Sequence, residues 1–278
     1  HRDLHRLIRR QRQMCIRDRK KDNEMRFIVR GVSVAFINSI RRAAIAEVPT
    51  MAIEDVVILT NTSPLFDEII AHRLGLIPLT TPKEGYVMPK DCECGGSGCP
   101  KCQARLYLDV KAEYPTVVYA ENLIPEDPNV RPVYGNIPIV KLEMGQALTL
   151  EAYAQLGLGK DHAKWQPVSA CAYKYYPKIT INEELCDGCG KCVDACAKGV
   201  LRVKDGKVQI LDLLKCTMCS DCVEACPKGA LEVDKISDTF IFYLESTGTM
   251  PPEDIIVKAA EVLADKARQF IKALEEVL

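Results

Sequence analysis

The spacing of apolar residues changes period several times along the chain, and each change marks an element. Residues 26–32 (RFIVRGV) alternate, with Phe27 and Val29 on one face and Gly31 closing the run, which predicts a short strand. Ser33 stands where it can cap a helix whose apolar positions Phe36, Ile37, Ile40 and Ala44 follow the 3.6-residue period. Pro49 ends that helix, and residues 51–59 (MAIEDVVIL) read as a strand. Alternation returns at residues 104–114, with Leu106, Leu108 and Val110 on one face, and residues 114–123 continue as strand after Pro115. Residues 124–138 are Pro-rich and read as loop. Residues 137–173 predict strand, turn, strand, short helix, Gly-rich loop and strand. Residues 200–211 (VLRVKDGKVQIL) have the form strand, Asp-Gly turn, strand, a hairpin signal.

Residues 238–255 predict a strand and a turn leading to a last helix, which starts around Pro251-Pro252 with Glu253 and Asp254 at its positive end. Its apolar positions Ile256, Ala260, Leu263, Ala267, Phe270, Leu274 and Val277 are separated alternately by 4 and 3 residues, the seam of a helix meant for another helix. Burying the four largest side chains would contribute roughly 6–12 kcal/mol gross. The competing reading is packing within its own domain.

The strongest chemical signal is a duplicated C-x2-C-x2-C-x3-C run: Cys186, Cys189, Cys192 and Cys196, then Cys216, Cys219, Cys222 and Cys226. Thiolates three residues apart on a tight loop can hold three irons of a cubane, while the fourth Cys ligates the other cluster. That rule assigns Cys186, Cys189, Cys192 and Cys226 to one [4Fe-4S] cluster, and Cys216, Cys219, Cys222 and Cys196 to a second. Structural zinc and a disulfide framework are the competing readings. Ala197 stands where the pattern prefers Pro, a departure that removes no ligand but loosens the surroundings of the first copy; Pro227 is present in the second. Such a unit accounts for only a fraction of the 278 residues, so the rest of the chain must carry the function.

Composition narrows the class. Hydrophobic content of 47% and charged content of 27% describe a chain able to bury a sizeable core. No apolar run approaches the ~18–20 residues of a membrane span, and no secretory segment is visible. The fourteen Cys therefore read as metal ligands in a reducing cytoplasm. Cys171 is expected to be a small buried apolar residue. The net charge of −1 conceals an asymmetry: residues 1–21 hold nine Lys/Arg and two Asp, so the other 257 sum to −8. An acidic body argues against a large direct contact with DNA. The Arg-rich residues 1–24 have no clean periodicity. They read either as a basic arm or, preferably, as a non-native or disordered extension of translated cloning sequence, excluded from the fold.

A Gly-rich loop carries Cys92, Cys94, Cys99 and Cys102. Four thiolates in short pairs suit a closed, structural tetrahedral Zn2+ site. A redox-labile loop without metal and a further cluster are the alternatives. Residues 156–165 (LGLGKDHAKW) lack the G-x4-G-K-[ST] spacing of a phosphate loop.

Several stretches are specific enough to name a family. Asn38-Ser39-Ile40-Arg41-Arg42, Val48-Pro49 through Glu54, and residues 67–79 (DEIIAHRLGLIPL) closely resemble the D-subunit family of archaeal RNA polymerase, related to bacterial α and the eukaryotic third-largest subunit. The run Gly159-Lys160 through Trp165 and residues 245–263 resemble the same family, in which the first is a structural loop and the second a C-terminal arm. Some relatives carry a zinc loop at the position of Cys92–Cys102, and others lack it.

The resemblance implies an α+β fold: a discontinuous dimerisation domain from residues 25–50 and 236–278, an inserted mainly-β domain at 51–173, and an inserted ferredoxin-like domain at 174–235. The strands at 27–30 and 239–244 are then expected to share a sheet, and the family's first strand should precede Met25, where none is evident. The implied function is a non-catalytic assembly subunit of a DNA-directed RNA polymerase, with nucleotidyl transfer in other chains. It would pair with subunit L and seat the large subunits and the small subunits N and P. The residues expected at partner interfaces are Phe36, Ile37, Ile40, Arg41, Arg42 and Ala44 on the first helix and Leu263, Phe270 and Leu274 on the last. The competing class is a ferredoxin-like electron-transfer subunit. Within the polymerase reading, the clusters are either structural, replacing a core that so small a domain lacks, or redox-sensing.

Overall fold

A computed structural model describes residues 19–21 and 23–277. The reading of residues 1–24 as a basic arm or an extension falls largely outside them. The described part opens with a strand that hydrophobic periodicity does not signal, β1 (Arg19–Lys21), followed by β2 (Glu24–Arg30). A strand therefore does precede Met25, and excluding everything before residue 25 removes the edge of a sheet. An Arg-Lys-Lys tripeptide has no apolar face, so only its place in a backbone ladder identifies it. In β2 the buried residue is Ile28, while Phe27 on the other face stacks on Phe242 with ring centroids 5.1 Å apart.

The chain divides into two compact units. The larger gathers Ser39–Cys171 and Leu244–Leu278, with Lys20–Met25. Its core lies against a four-stranded antiparallel sheet ordered β3 (Thr50–Asn61), β8 (Ala147–Gly157), β4 (Gln103–Lys111) and β6 (Ile124–Pro125). Alternation puts Leu106 and Leu108 of β4, and Leu148, Leu150, Ala152 and Ala154 of β8, on one face. Helix α2 (Asp67–Gly75) covers that face with Ile70 and Leu74. A two-stranded sheet of β5 (Thr116–Tyr119) and β7 (Pro138–Leu142) lies in the same unit. The short helix expected after the second strand of residues 137–173 does not form there. Ala152 and Ala154 alternate with half-buried Tyr153 and Gln155, so pairing with β3 and β4 overrides alanine's helical preference, and one 3-10 turn follows at Ala163–Trp165.

The Gly-rich loop before that turn is a packing element. Trp165 sits where a side chain on Gly157 would be, and a Cβ on Gly159 would lie 2.4 Å from the Ile45 carbonyl oxygen. Thr50 Oγ1 donates to the Trp165 carbonyl at 2.7 Å and Lys164 Nζ to that of Ile53 at 2.9 Å, which locks the loop to β3.

The smaller unit gathers Arg26–Asn38 and Ala172–Tyr243. Within it are two single-turn helices, α3 (Lys191–Asp194) and α4 (Asp221–Glu224), and the hairpin β10 (Leu201–Lys204) and β11 (Lys207–Ile210). Asp205 and Gly206 both adopt positive φ at its tip, as a two-residue turn of this hand requires. The core here is slight: Val200, Leu201, Val208 and Leu231 share it with Cys192, Cys216 and Cys222.

Helix α1 (Val34–Ala46) and the strands β2, β9 (Val168–Ile181) and β12 (Leu231–Ser246) carry residues of both units, and the second four-stranded sheet is ordered β1–β2–β12–β9. The strands expected at 27–30 and 239–244 are thus neighbours. The positions 173/174 and 235/236 fall inside β9 and β12. The Ser33 hydroxyl accepts from the Phe36 N–H at 3.2 Å and caps α1.

The last helix, α5 (Pro252–Glu275), buries Pro252, Ile255 and Ala259, one position before the predicted seam. Ile256, Ala260 and Leu263 are half-buried, and from Asp265 onward every described residue is exposed, with Phe270 at 66% and Val277 at 85%. No helix among the described residues is long and apolar enough to cross a membrane.

Candidate metal centres

The four cysteines of the Gly-rich loop converge. The chain makes a 3-10 turn at Pro89–Asp91, then folds back through Gly95 N–H to Cys92 O (2.9 Å) and Cys102 N–H to Cys99 O (2.9 Å) before entering β4. The Sγ atoms of Cys92 and Cys99 lie 3.5 Å apart, those of Cys94 and Cys102 3.6 Å, and those of Cys99 and Cys102 3.8 Å. All four lie within 4.8 Å of one another. A tetrahedral ion bound at ~2.3 Å to four sulfurs sets them about 3.8 Å apart, so the spacing fits a single metal ion. The Cys92 thiol bonded to Cys94 pulls the latter's pKa down to about 6, which favours a thiolate in this group at neutral pH. The Cys99 N–H also points at Cys102 Sγ, at 3.4 Å, a backbone dipole placed for a ligating sulfur.

The other eight cysteines surround two hollows in the smaller unit. Cys216, Cys219, Cys222 and Cys196 line one, a cavity of about 150 Å³. Cys186, Cys189, Cys192 and Cys226 line the other. Each hollow thus takes three sulfurs from one copy of the motif and the fourth from the other. Two single-turn helices produce this exchange: each places its copy's third cysteine inward (Cys192, Cys222) and delivers the fourth across to the neighbouring loop. Burial and the neighbouring sulfurs push the Cys192 and Cys222 thiols up, the latter facing Cys196, Cys216 and Cys219. Backbone N–H groups aim at three sulfurs: Val200 at Cys196 (3.4 Å), Met218 at Cys216 (3.4 Å) and Ala230 at Cys226 (3.3 Å). Four convergent thiols per hollow, with backbone donors around them, fit the all-cysteine donor set of an iron–sulfur cubane.

The exchange relocates one expected effect. Ala197 lines the hollow built on Cys216–Cys222, while Pro227 lines the hollow of Cys186–Cys192, so the missing proline bears on the second copy's loop.

Sequence reasoning missed Lys174. Its Nζ donates to the carbonyls of Leu214 (2.8 Å) and Cys216 (2.7 Å), and Arg26 adds a bond to Leu214 O at 3.3 Å. Burial and the Arg26 charge lower the Lys174 pKa. These cations hold the start of the second cysteine loop to β9 and β2. A lysine among tyrosines has no periodic or motif signal that would have disclosed this.

Of the remaining expected site residues, Phe36 is 50% exposed, whereas Ile37, Ile40 and Ala44 are buried within the chain itself. Apolar periodicity identifies a covered face but not what covers it, and here these three belong to the chain's own core. Arg41 is half-buried and Arg42 exposed. Cys171 is half-buried, its Sγ 3.9 Å from the Arg41 carbonyl oxygen, and burial pushes its thiol up to about 11.

The chain mixes helix and sheet and carries a long helix that is exposed over its outer half. Residues 26–267 match the RNA polymerase Rpb3/Rpb11 dimerisation domain, and the chain belongs to that family. It is 47% identical to the DNA-directed RNA polymerase subunit Rpo3 of Methanothermobacter thermautotrophicus, over 92% of this chain and 97% of the relative. It is 45% identical to Rpo3 of Archaeoglobus fulgidus (93% and 96%) and 41% identical to Rpo3 of Pyrobaculum calidifontis (89% and 91%).

Proposed function

We propose that this chain is a non-catalytic assembly subunit of a cytoplasmic archaeal DNA-directed RNA polymerase, pairing with a small L-type subunit and seating the large subunits and the small subunits N and P. The observation that carries this reading is the exposed apolar face of α5, with Phe270 and Leu274 uncovered and Val277 exposed just beyond its end, in a chain of a dimerisation-domain family. Phe36 on α1 and Leu263 on α5 belong to the same interface, whereas Ile37, Ile40 and Ala44 support it from beneath; Arg41 and Arg42 make charge-assisted contacts beside it. The domains follow the family pattern: a discontinuous dimerisation domain at 25–50 and 236–278, with a mainly-β insert at 51–173 and a ferredoxin-like insert at 174–235.

Two [4Fe-4S] clusters occupy the two hollows, one on Cys186, Cys189, Cys192 and Cys226 and the other on Cys216, Cys219, Cys222 and Cys196. When bound they supply cross-linking between the two loops, together with a one-electron chemistry that the assembly role does not require. The slight apolar core of the smaller unit supports a structural role. Zn2+ occupies Cys92, Cys94, Cys99 and Cys102, whose sulfur spacing suits one tetrahedral ion. An electron-transfer subunit finds no support, because the family match spans residues on both sides of the cysteine repeats.

Anaerobic co-expression with an L-type subunit, followed by gel filtration and metal counts on the peak, tests this reading. A one-to-one complex with about eight irons and one zinc is expected. An iron-loaded monomer that ignores the L-type subunit overturns the assembly role.

A further inference from the structure

The sheet β3–β8–β4–β6 has a second face, opposite α2, that is covered at the Ala52 end but half-buried to exposed over its central rows. Its register aligns the side chains in rows. One row is Asp55, Tyr153 and Arg105; the next is Val57, Glu151, Tyr107 and Ile124; a third is Thr60, Thr149 and Asp109. Val57, Leu59 and Ile124 stand 47%, 62% and 64% exposed on this face. At its centre the Arg105 guanidinium lies 4.4 Å from the Tyr107 ring centroid and 5.8 Å from that of Tyr153, and pairs with Glu151. The Tyr153 hydroxyl donates to the same carboxylate at 2.7 Å. An arginine and a tyrosine held by one carboxylate, with a second tyrosine stacked on the guanidinium, lose little rotamer entropy on being covered, which is the make-up of an interface hot spot.

The charge on this face selects its occupant. Asp55, Asp109 and Glu151 lie on it, and Glu126 and Asp127 line the groove of about 370 Å³ beside Arg105 and Tyr153. Against these five carboxylates stand Arg105, already paired, and Lys111 at the end of β4. Nucleic acid is repelled by such a face. We infer that the outer face of this sheet docks a protein surface presenting aliphatic and basic side chains, a joint separate from the α5 pairing and resting on the assembly role proposed above. Three strands about 4.8 Å apart and about six residues long, with the two residues of β6 beside them, give a platform of roughly 300 Å², well under half of what one partner buries in a standard interface. The partner is therefore one held at other points too, as within a multisubunit enzyme.

The test uses polymerase reconstituted with the full chain and treated with a zero-length carbodiimide, which joins carboxylates to lysines in contact. Cross-links from Asp55, Asp109 or Glu126 to lysines of another subunit are expected. Val57→Lys with Ile124→Lys, both solvent-facing, should lower retention of the chain in the assembled enzyme at least tenfold while leaving its melting temperature and L-type pairing unchanged. Assembly without those cross-links, or cross-links only within this chain, together with unchanged retention of the double variant, overturns the docking face and leaves the assembly role standing. Failure of the unmodified chain to enter the enzyme overturns both.

Discussion

The two copies of the cysteine motif trace the same backbone with different residues. In the first, Gly188 and Gly190 take φ of +70° and +80°; in the second, Met218 and Ser220 take +57° and +70°. Glycine is obligatory at 188 for a second reason as well: a Cβ there would lie 2.1 Å from the carbonyl oxygen of Gly206, at the tip of the β10–β11 hairpin. The second loop accepts side chains but holds both in the left-handed region, at about 1–2 kcal/mol each. Because the fourth cysteines are exchanged, the alanine in place of proline also falls on this second hollow. Three departures gather at one site. Identical sets of four cysteines thus sit in loops of unequal intrinsic stability, and with the clusters proposed above the loop of Cys216–Cys222 would depend more on its ligated group to stay in place.

The sharpest way to break this comparison is Gly188→Ala. The clash with Gly206 is with backbone, so the first loop cannot close, and iron should fall from about eight to about four per chain. Anaerobic iron analysis with Mössbauer spectroscopy reads the count, and an undiminished eight would show the loop to be as tolerant as its copy.

Next in size is the order of loss. Under a strong chelator, iron should leave the Cys216–Cys222 site first, roughly thirty-fold faster or more, the equivalent of about 2–4 kcal/mol from two left-handed residues. Met218→Gly with Ser220→Gly should remove most of that difference. Equal rates in the unmodified chain, or no change in the double variant, would refute the asymmetry.

The smallest effect concerns Asp187, whose carboxylate meets Lys228 at 3.1 Å; Thr217 and Lys198, at the matching positions, cannot form an ion pair. Lys228 foremost, and then the Cys189 N–H, hold the Asp187 carboxyl below its usual range. A depressed carboxyl stabilises the fold above its unfolded pKa of about 4, and loses that contribution as pH falls through the folded value. Asp187→Asn should therefore lower the melting temperature of the metal-free chain slightly at pH 7, by an amount that shrinks as pH falls below about 4 and vanishes only below the folded value. A difference that persists in acid would assign the effect to something other than the ion pair.

What the sequence discloses depends on whether a local rule governs the element. The β10–β11 hairpin follows from Asp205-Gly206, β4 from its alternation, the Cys92–Cys102 group from its spacing, and the two exchanged groups of four cysteines from spacing together with the exchange rule for paired clusters. Long-range facts were hidden. Nothing in Arg19–Lys21 shows that it extends a sheet. The apolar stripe of α1 does not separate exposed Phe36 from buried Ile37, since both fit a helix face. The continuity of β9 was masked by Pro177, which normally argues against a strand; it is accommodated because β9 lies at the edge of its sheet. Lys174 acts through carbonyls 40 and 42 residues away, beyond any motif.

Strands β9 and β12 have one further implication. They run in opposite directions, with Ser169 bonded to Glu245 near one end and the Asn182 N–H bonded to Ala230 O at 2.8 Å near the other. Everything from residue 183 to residue 229 leaves and returns through that last rung. Topologically, the cysteine-bearing segment is the loop of a single oversized β-hairpin. A two-residue turn spanning Asn182 and Ala230 could replace it without cutting any strand, so this module can be gained or lost by evolution, or excised at the bench, as one piece.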